Sequence, residues 1–428
     1  MTPATVEFRA DEGFARRLDA EDPLASFRDR FHLPKGSDGR ARIYFNGNSL
    51  GLQPLAARAL VEEELEAWAR LGVEGHFRAR TPWYSYHEAL RDPMARLVGA
   101  GPGEVVMMNS LTVNLHLMMA SFYRPTPERH AILMEDAAFP SDTYAAKSQL
   151  RLHGFDPRVS LVIARPREGE ATLRSDDLEE LLARRGREIA LVLFSGVHFH
   201  TGQLFDLERL SRAAHAAGAL VGLDLAHAAG NVPLGLHDWD VDFAVWCSYK
   251  YLNAGPGAVA GCFVHERHGR DRSLPRLAGW WGNDPATRFR MHLEPEFVPR
   301  EGADGWQVSN PPILAMAPLR ASLALFDEAG MDALRAKSVL LTGYLEWLID
   351  RIPSSPLAIL TPPDPEARGS QLSLRLADRP RERLRALEEA GAVVDLREPD
   401  VIRVAPVPLY NTFDEVRRFA AALAGQRS

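Results

Sequence analysis

Lysine is scarce in this chain, and the scarcity makes each lysine informative. Of the 50 lysine and arginine residues, four are lysine, at positions 35, 147, 250 and 337. Arginine carries a surface charge as well as lysine does, but it cannot form a Schiff base with a carbonyl compound. Lys35 lies in a polar turn, and Lys147 and Lys337 lie in amphipathic stretches that predict exposed helix faces. Lys250 is the candidate for chemistry.

Lys250 follows the apolar run Phe243–Tyr249, which predicts a lysine at the end of a buried strand. Burying an unpaired ammonium is costly, and the same desolvation frees the amine to act as a nucleophile. Asp224 ends another apolar run and is followed by His227. The carboxyl end of a strand is where open α/β sheets bind ligands. Taken alone, Asp224 could also be the cap of a helix.

A third feature is the segment Met108–Asn114, which passes from a predicted strand into a predicted helix. Ser110 and Thr112 offer hydroxyls where backbone N–H groups at a helix N-terminus could bind a phosphate, although an ordinary cap has the same appearance. A strand-end lysine, an acid and a phosphate site together indicate pyridoxal 5'-phosphate (PLP), whose ring becomes an electron sink when an acid keeps its nitrogen protonated. A dinucleotide is not indicated, because no G-x-G-x-x-G follows a strand.

Short apolar runs alternate with amphipathic stretches from about residue 104 onward, which predicts an α/β fold with a mostly parallel sheet covered on both faces. The predicted strands include Val105–Met108, Ala131–Met134, Leu161–Ala164, Ile189–Phe194, Ala219–Leu223, Phe243–Cys247 and Ala258–Val264. After about residue 311, two long helices and a smaller α+β pattern follow. We expect an N-terminal segment (1–45) packed with a small C-terminal α+β domain (311–428), and a large cofactor-binding domain (46–310).

Composition limits the possible partners. A formal net charge of −7 argues against nucleic acid, which requires clustered positive charge. Cys247 and Cys262 lie in apolar runs without the spacing of a metal site, so we expect no metal and two unpaired thiols, as in a reducing compartment. No apolar run approaches the length of a membrane span, and residues 1–11 lack the apolar core of a signal peptide. The expected location is the cytoplasm.

Several stretches extend the lysine argument to a family. They are Tyr44–Gln53, Leu111–His116, Phe139–Asp142, Asp224–Ala228, Trp246–Asn253, Gly279–Trp280, Ser309–Ile313 and Arg403–Asn411. Together they resemble the kynureninases, in the aminotransferase class V branch of fold-type I PLP enzymes, over nearly the whole chain. The resemblance implies a PLP-dependent transferase fold of type I and hydrolysis of L-kynurenine, or its 3-hydroxy form, to anthranilate, or 3-hydroxyanthranilate, and L-alanine in tryptophan catabolism.

The resemblance also implies roles for individual residues. Lys250 would carry the cofactor and move the α-proton. Tyr249 would relay a proton to Cβ and would also contact the cofactor through its phosphate. Phe139 would stack on the pyridine ring, and Asp224 would face the pyridine nitrogen. The remaining cofactor contacts would come from Leu111, Thr112, Pro140, Ser141, Asp142, Ser195, His227, Trp280 and Asn310. Trp280 and Asn310 would reach the site from the second subunit of a homodimer.

The substrate would be held at both of its ends. Arg403 would bind the α-carboxylate, because a guanidinium matches a carboxylate with two hydrogen bonds. Without the resemblance, the sequence favours a different interpretation, in which Arg403 lies on an edge strand and is exposed to water. His76, Ser309 and Asn310 would line the aromatic end, and in this family such polar residues accompany the 3-hydroxy ring. His76 could also be a surface histidine, and Asn310 could be needed for its backbone before Pro311.

Two other functions are compatible with the same motifs. A cysteine desulfurase shares the fold, but it needs a nucleophilic cysteine on a mobile loop, and both cysteines here lie in strand-like runs. A PLP-binding sensor without turnover would not need Asp224, Lys250 and Arg403 together. An assay of kynurenine turnover separates an enzyme from a sensor.

Overall fold

The structure is a computed structural model that describes residues 6–352 and 357–425. The ends of the two terminal parts expected from the sequence, residues 1–5 and 426–428, lie outside the described residues, as do residues 353–356. Within the described ranges, no helix combines the length and the apolar character that crossing a membrane requires.

Strands and helices alternate through most of the chain. The strands are β1 (Ile43–Tyr44), β2 (Val105–Met107), β3 (Ala131–Glu135), β4 (Leu161–Ala164), β5 (Ile189–Ser195), β6 (Leu220–Asp224), β7 (Phe243–Trp246), β8 (Gly261–Val264), β9 (Leu357–Ile359), β10 (Leu372–Leu376), β11 (Ala392–Val393), β12 (Asp395–Arg397) and β13 (Val401–Val404). The helices are α1 (Glu12–Glu21), α2 (Leu55–Leu71), α3 (Gly75–Arg78), α4 (Arg91–Val98), α5 (Leu111–Phe122), α6 (Pro140–Leu152), α7 (Pro157–Ser160), α8 (Ser175–Arg185), α9 (Leu207–Ala216), α10 (Glu266–Gly269), α11 (Ile313–Ala329), α12 (Met331–Ile349), α13 (Pro380–Glu389) and α14 (Phe413–Leu423).

The central sheet has seven strands in the order β2-β8-β7-β6-β5-β3-β4. Its pairs from β4 to β7 are parallel, whereas β8 runs antiparallel to both β2 and β7. The predicted mostly parallel α/β sheet is therefore confirmed. Strands β2, β3, β6, β7 and β8 are almost wholly buried, because helices cover both faces, and this explains why they appear in the sequence as continuous apolar runs.

A second sheet lies in the C-terminal part of the chain. It is antiparallel, in the order β12-β13-β10-β9, and β1 pairs separately in parallel with β11. Its core joins residues that are far apart in the sequence, including Phe14 and Phe45 near the beginning and Leu345 and Phe419 near the end. The N-terminal segment is thus divided between two cores: Leu24, Phe27 and Phe31 pack with the larger core around the central sheet, whereas Phe14 and Phe45 pack with the C-terminal sheet. Asp19 strengthens this contact by accepting the first backbone N–H of α14, from Phe413, at 2.6 Å.

Helix α11 lies with the larger core. Its buried residues Met316, Leu319 and Leu323 belong to the same apolar cluster as the central sheet, and the helix packs against α2. The sequence assigned this helix to the small domain because the rhythm of strands ends at about residue 311. The contacts that α11 makes, and not the point where the strand–helix alternation ends, therefore determine the domain to which it belongs.

Candidate active site

The central sheet places three polar side chains side by side. Glu135, Ser195 and Asp224 are the last residues of the neighbouring parallel strands β3, β5 and β6, and Ser195 stands opposite Asp224 in the register. Parallel strands end at a common edge, which is the usual ligand-binding edge of such sheets. Asp224 is 6% exposed, and its Oδ1 accepts the backbone N–H of Ala226 at 2.7 Å. The strand-end position predicted for Asp224 thus agrees with the structure.

Lys250 lies in the turn that follows β7 and approaches the same edge. Its Nζ is 3.1 Å from Nε2 of His227 and 5.8 Å from the ring centroid of Phe139. Burial, and then the charge of Lys250, hold the pKa of His227 well below its usual value. The imidazole is therefore neutral, so its Nε2 can accept a hydrogen bond from the lysine ammonium.

Two helix N-termini converge on the opposite side of this site. Ser110 precedes α5, and Thr112 in its first turn has its Oγ1 3.1 Å from Oγ of Ser141 in the first turn of α6. Free backbone N–H groups and hydroxyls at helix N-termini bind phosphate without any need for a basic side chain. The two helix N-termini therefore offer backbone N–H groups and hydroxyls to which a phosphate could bind.

These residues surround a single cavity. It is lined by Leu111, Thr112, Phe139, Asp142, Ser195, Val197, Phe199, Asp224, Ala226, His227, Tyr249 and Lys250. The structure thus brings most of the residues chosen as cofactor contacts together from five separate segments. Pro140 and Ser141 open α6 directly beside the cavity without being among its lining residues.

The charges of the site suit a cationic ring. Burial, and then the negative charge of Asp224, raise the pKa of Asp142 well above its usual value, while Lys250 lowers it. Burial also raises the pKa of Glu135 to about 7. Asp142 and Asp224 line this cavity with Lys250, and the charge of Glu135 also raises the pKa of Asp142, so an additional positive charge would stabilise the ionised carboxylates. A protonated pyridine carries such a charge.

Several buried atoms at this edge have no hydrogen-bond partner among the described residues. They are Asp142 Oδ1, Ser195 Oγ and His227 Nδ1. Buried polar atoms in folded proteins are nearly always paired, so atoms left without partners around a cavity indicate a polar ligand. Together with the phosphate-binding helix ends and the exposed face of Phe139, these atoms fit PLP.

Arg403 lies beside the cavity and is not among its described lining residues. It is a member of β13 and only 1% exposed, which differs from the exposed edge-strand alternative. Its Nη1 donates to the carbonyl oxygen of Phe199 at 3.0 Å, and Phe199 lines the cavity. Phe199 thus connects the guanidinium of Arg403 to the wall of the cavity.

The residues expected at the aromatic end of the substrate, or from a second subunit, lie elsewhere in this chain. His76, Trp280, Ser309 and Asn310 are not among the described residues that line the cavity. His76 packs against Trp83 with ring centroids 5.5 Å apart, and Trp280 packs against Trp281. Ser309 and Asn310 are exposed and contact each other.

Sequence reasoning missed two residues of the site. Glu135 ends β3 as Asp224 ends β6, so the same strand-end signal was available, and Oε1 of Glu135 accepts the backbone N–H of Ser195 at 3.1 Å. Phe199 follows β5 in a loop, and its ring lies 5.4 Å from that of Phe139 in an edge-to-face contact. No local signal marked Phe199, because its place depends on the chain folding back after Ser195.

The exposed position predicted for Lys337 is wrong. Its side chain is 6% exposed, its Nζ is 2.7 Å from Oδ2 of Asp22, and it donates to the carbonyl oxygen of Pro408 at 2.6 Å. Lys337 lies on the buried face of α12 together with Leu334 and Leu341, where Asp22 from the N-terminal segment neutralises its charge.

The fold and site define a class V aminotransferase of the fold-type I PLP enzymes. Residues 43–277 match the aminotransferase class-V family model. Solved structures with the same fold include the cysteine desulfurase CsdA from Escherichia coli, with a TM-score of 0.74, 19% identity and coverage of 93% of this chain and 97% of that one. A cysteine desulfurase from Thermococcus onnurineus has a TM-score of 0.73, 17% identity and coverage of 98% and 99%. At such identities the likeness shows the fold alone.

The chain belongs to the kynureninase family. Residues 334–423 match the family model for the kynureninase C-terminal domain. Kynureninases from Koribacter versatilis and Myxococcus xanthus are each 58% identical to this chain. The first match covers 97% of this chain and 98% of the relative, and the second covers 98% of each. A kynureninase from Xanthomonas euvesicatoria is 60% identical over 94% of this chain and 95% of its own. The cysteine desulfurase alternative is not favoured, and both cysteines are buried, free thiols.

Proposed function

We propose that this PLP-dependent enzyme hydrolyses L-kynurenine, or its 3-hydroxy form, to anthranilate, or 3-hydroxyanthranilate, and L-alanine. The observation that carries the proposal is the cavity in which Lys250, Asp224, Phe139 and His227 meet. Membership of the kynureninase family indicates which reaction is catalysed, and the cavity contains the residues that would catalyse it.

We assign the cofactor contacts as follows. Lys250 is the point of covalent attachment, Phe139 covers one face of the ring, and Asp224 keeps a proton on the pyridine nitrogen. The helix ends at Thr112 and Ser141 take the phosphate. Support comes from the cavity lining, from the 3.1 Å contact between the two hydroxyls, and from the unpartnered atoms around the pocket.

Proton movement would depend on Lys250 and Tyr249. PLP, when bound, supplies an electron sink for the substrate's α-carbon. Lys250 removes the α-proton, and His227, neutral and 3.1 Å away, holds the amine in place. Burial raises the pKa of Tyr249, so its hydroxyl remains protonated at neutral pH and can donate to Cβ. Lys250 and Tyr249 line the same cavity, so both can reach one substrate.

We also propose a homodimer with shared sites. His76, Trp280, Ser309 and Asn310 are assigned to the partner's cavity, since they do not line the one in their own chain as described. Large apolar side chains close to them in the sequence are exposed, including Phe77 at 60% and Phe289 at 59%. Clustered exposed apolar residues are typical of an association surface.

We propose a division of the chain into an N-terminal segment, a large domain and a small C-terminal domain, supported by the apolar core that the small domain has of its own. The sequence placed the second boundary at about residue 310, but α11 packs with the larger core, so we place this boundary after residue 329. We further propose that the enzyme works in the cytoplasm, supported by its two buried, unpaired thiols.

Replacing Arg403 with alanine should raise KM for kynurenine by about 100-fold and leave the absorption spectrum of the bound cofactor unchanged. Charge-assisted hydrogen bonds contribute about 1.5–3 kcal/mol each, and Arg403 is assigned to the substrate and not to the cofactor. Steady-state kinetics and a visible spectrum measure the two effects. The matched control is Arg383→Ala, which removes a more exposed arginine paired with Asp378 in the same domain. An unchanged KM in Arg403→Ala would remove this residue from the substrate site.

The enzyme should turn over both kynurenines, with the higher kcat/KM for 3-hydroxykynurenine. A buried 3-hydroxyl needs a hydrogen-bond partner, which His76 or Asn310 can supply. A site that is built to bond this hydroxyl binds the analogue without it more weakly, because the polar groups of the site are then left unpaired. Replacing His76 with Trp together with Asn310 with Thr should shift the ratio of kcat/KM values toward kynurenine by about tenfold, the loss expected for one buried hydrogen bond.

His153→Trp is the control, since it places the same side chain at an exposed histidine outside the cavity lining. A wild-type enzyme that prefers kynurenine would overturn the ring assignment alone. Failure to cleave either kynurenine, in a protein that binds PLP, would overturn the proposed function.

A further inference from the structure

Arg403 is held by a carboxylate from the neighbouring strand. Asp395 stands directly opposite Arg403 in the register of β12 and β13. The Nε of Arg403 donates to Oδ1 of Asp395 at 2.8 Å, and its Nη2 donates to Oδ2 of the same group. The two parallel bonds fix the plane of the guanidinium, which is the most rigid arrangement that a side-chain pair can form.

The pairing with Asp395 leaves part of Arg403 free. A guanidinium has five N–H donors, of which Asp395 takes two and the carbonyl oxygen of Phe199 takes one. Among residues 6–352 and 357–425, two donors therefore remain without a partner, one on Nη1 and one on Nη2. This number suits a second carboxylate, so the contact with Asp395 orients Arg403 without saturating it.

The surroundings require this acid. Arg397 also donates to Oδ2 of Asp395, at 2.9 Å. Several positive charges lie close together here: after the larger effect of burial, the pKa of the half-buried His200 is lowered by Arg375, Arg403 and Arg397. Asp400 is the acid that acts on His200 in the opposite direction. Without Asp395, the buried guanidinium of Arg403 would lose its partner and face other positive groups. Its orientation would then depend on the hydrogen bond from Nη1 to the carbonyl oxygen of Phe199 alone.

Phe199 connects this pair to the cofactor pocket. Its carbonyl oxygen accepts from Arg403 and also from Nε2 of Gln371 at 3.1 Å, while its side chain lines the cavity. The guanidinium is thus anchored on one edge by Asp395 and on its Nη1 side by the loop that forms the cavity wall.

We propose that Asp395 is a positioning residue for substrate binding: it holds Arg403 with two N–H donors free for the α-carboxylate. This inference rests on the proposed role of Arg403 as the carboxylate-binding residue. Asp395 itself does not touch the substrate, so its contribution should appear in recognition of the carboxylate and not in the cofactor.

The test is Asp395→Asn, which preserves the shape of the side chain but places an amide N–H₂ against a guanidinium donor. We expect KM for kynurenine to rise about 10- to 100-fold, as for the loss of a charged hydrogen bond, with a much smaller change in kcat. The inhibition constant of the decarboxylated substrate analogue should not change, because that analogue lacks the group that Arg403 binds. A merely structural role would weaken both ligands alike.

Asp395→Glu keeps the charge and provides a second variant if the asparagine form does not fold; it should raise KM less than Asp395→Asn does. Asp378→Asn is the matched control, since Asp378 pairs with Arg383 at 3.1 Å in the same domain and away from the cavity. If Arg403→Ala raises KM but neither Asp395 variant does, the positioning role is overturned. If Arg403→Ala itself leaves KM unchanged, the proposed function of Arg403 fails first.

Discussion

Replacing Lys250 with alanine should abolish turnover of kynurenine and covalent attachment of PLP. The expected loss in kcat is at least about 10³-fold, because the substitution removes both the attachment point and the group that moves the α-proton. His227, whose Nε2 lies 3.1 Å from the lysine Nζ, cannot replace it, since its neutral ring forms no comparable covalent bond.

Peptide mapping after borohydride reduction of the wild-type enzyme provides the direct measurement. The mass of the reduced cofactor should appear on the peptide that contains Lys250 and disappear from the Lys250→Ala variant. Lys35→Ala, at an exposed turn, is the control and should retain both label and activity. A label on Lys35, Lys147 or Lys337 would contradict the assignment of the attachment residue.

Replacing Asp224 should have the second largest effect. Asp224→Ala should weaken PLP binding by roughly 100- to 4000-fold and nearly eliminate turnover, because breaking a buried ion pair costs about 3–5 kcal/mol. Asp224→Asn sharpens the experiment, since Oδ1 can still accept the N–H of Ala226 at 2.7 Å while the charge is lost. We expect the asparagine variant to fold normally and to remain inactive at saturating cofactor.

The measurements for Asp224 are a PLP titration and kcat at saturating PLP. Asp206→Ala is a suitable control, because Asp206 also accepts a backbone N–H, from Arg209 at 3.0 Å, but lies at an exposed helix cap. Turnover at the wild-type rate in Asp224→Asn would show that the pyridine nitrogen needs no carboxylate in this enzyme.

The parts of the site that sequence reasoning predicted share one property, which is that their position follows from local chain pattern. Lys250 and Asp224 each close an apolar run, and the ends of parallel strands meet at one edge of a sheet. Glu135 also follows an apolar run, so the same local signal was present there.

The parts that could not be predicted depend on long-range packing. Lys337 appeared solvent-exposed because its partner, Asp22, lies 315 positions earlier in the chain. The pairing of Arg403 with Asp395 could be predicted only from the register of β12 and β13. A slip of one residue in that register would place the two side chains on opposite faces of the sheet. The strands of the small domain are short, so their register was not readable from alternation alone.

The pairing of β1 with β11 has a consequence for synthesis on the ribosome. It joins residues 43–44 to residues 392–393, whereas the central sheet ends with β8 at residue 264. All strands of the larger core have therefore been translated before the partners of the N-terminal segment exist, and domains generally fold as units while the chain grows. Phe14, Leu18 and Phe45 are therefore translated well before the residues that cover them in the small domain, such as Phe413 and Phe419, and these apolar side chains lack that cover until residue 419 has been made.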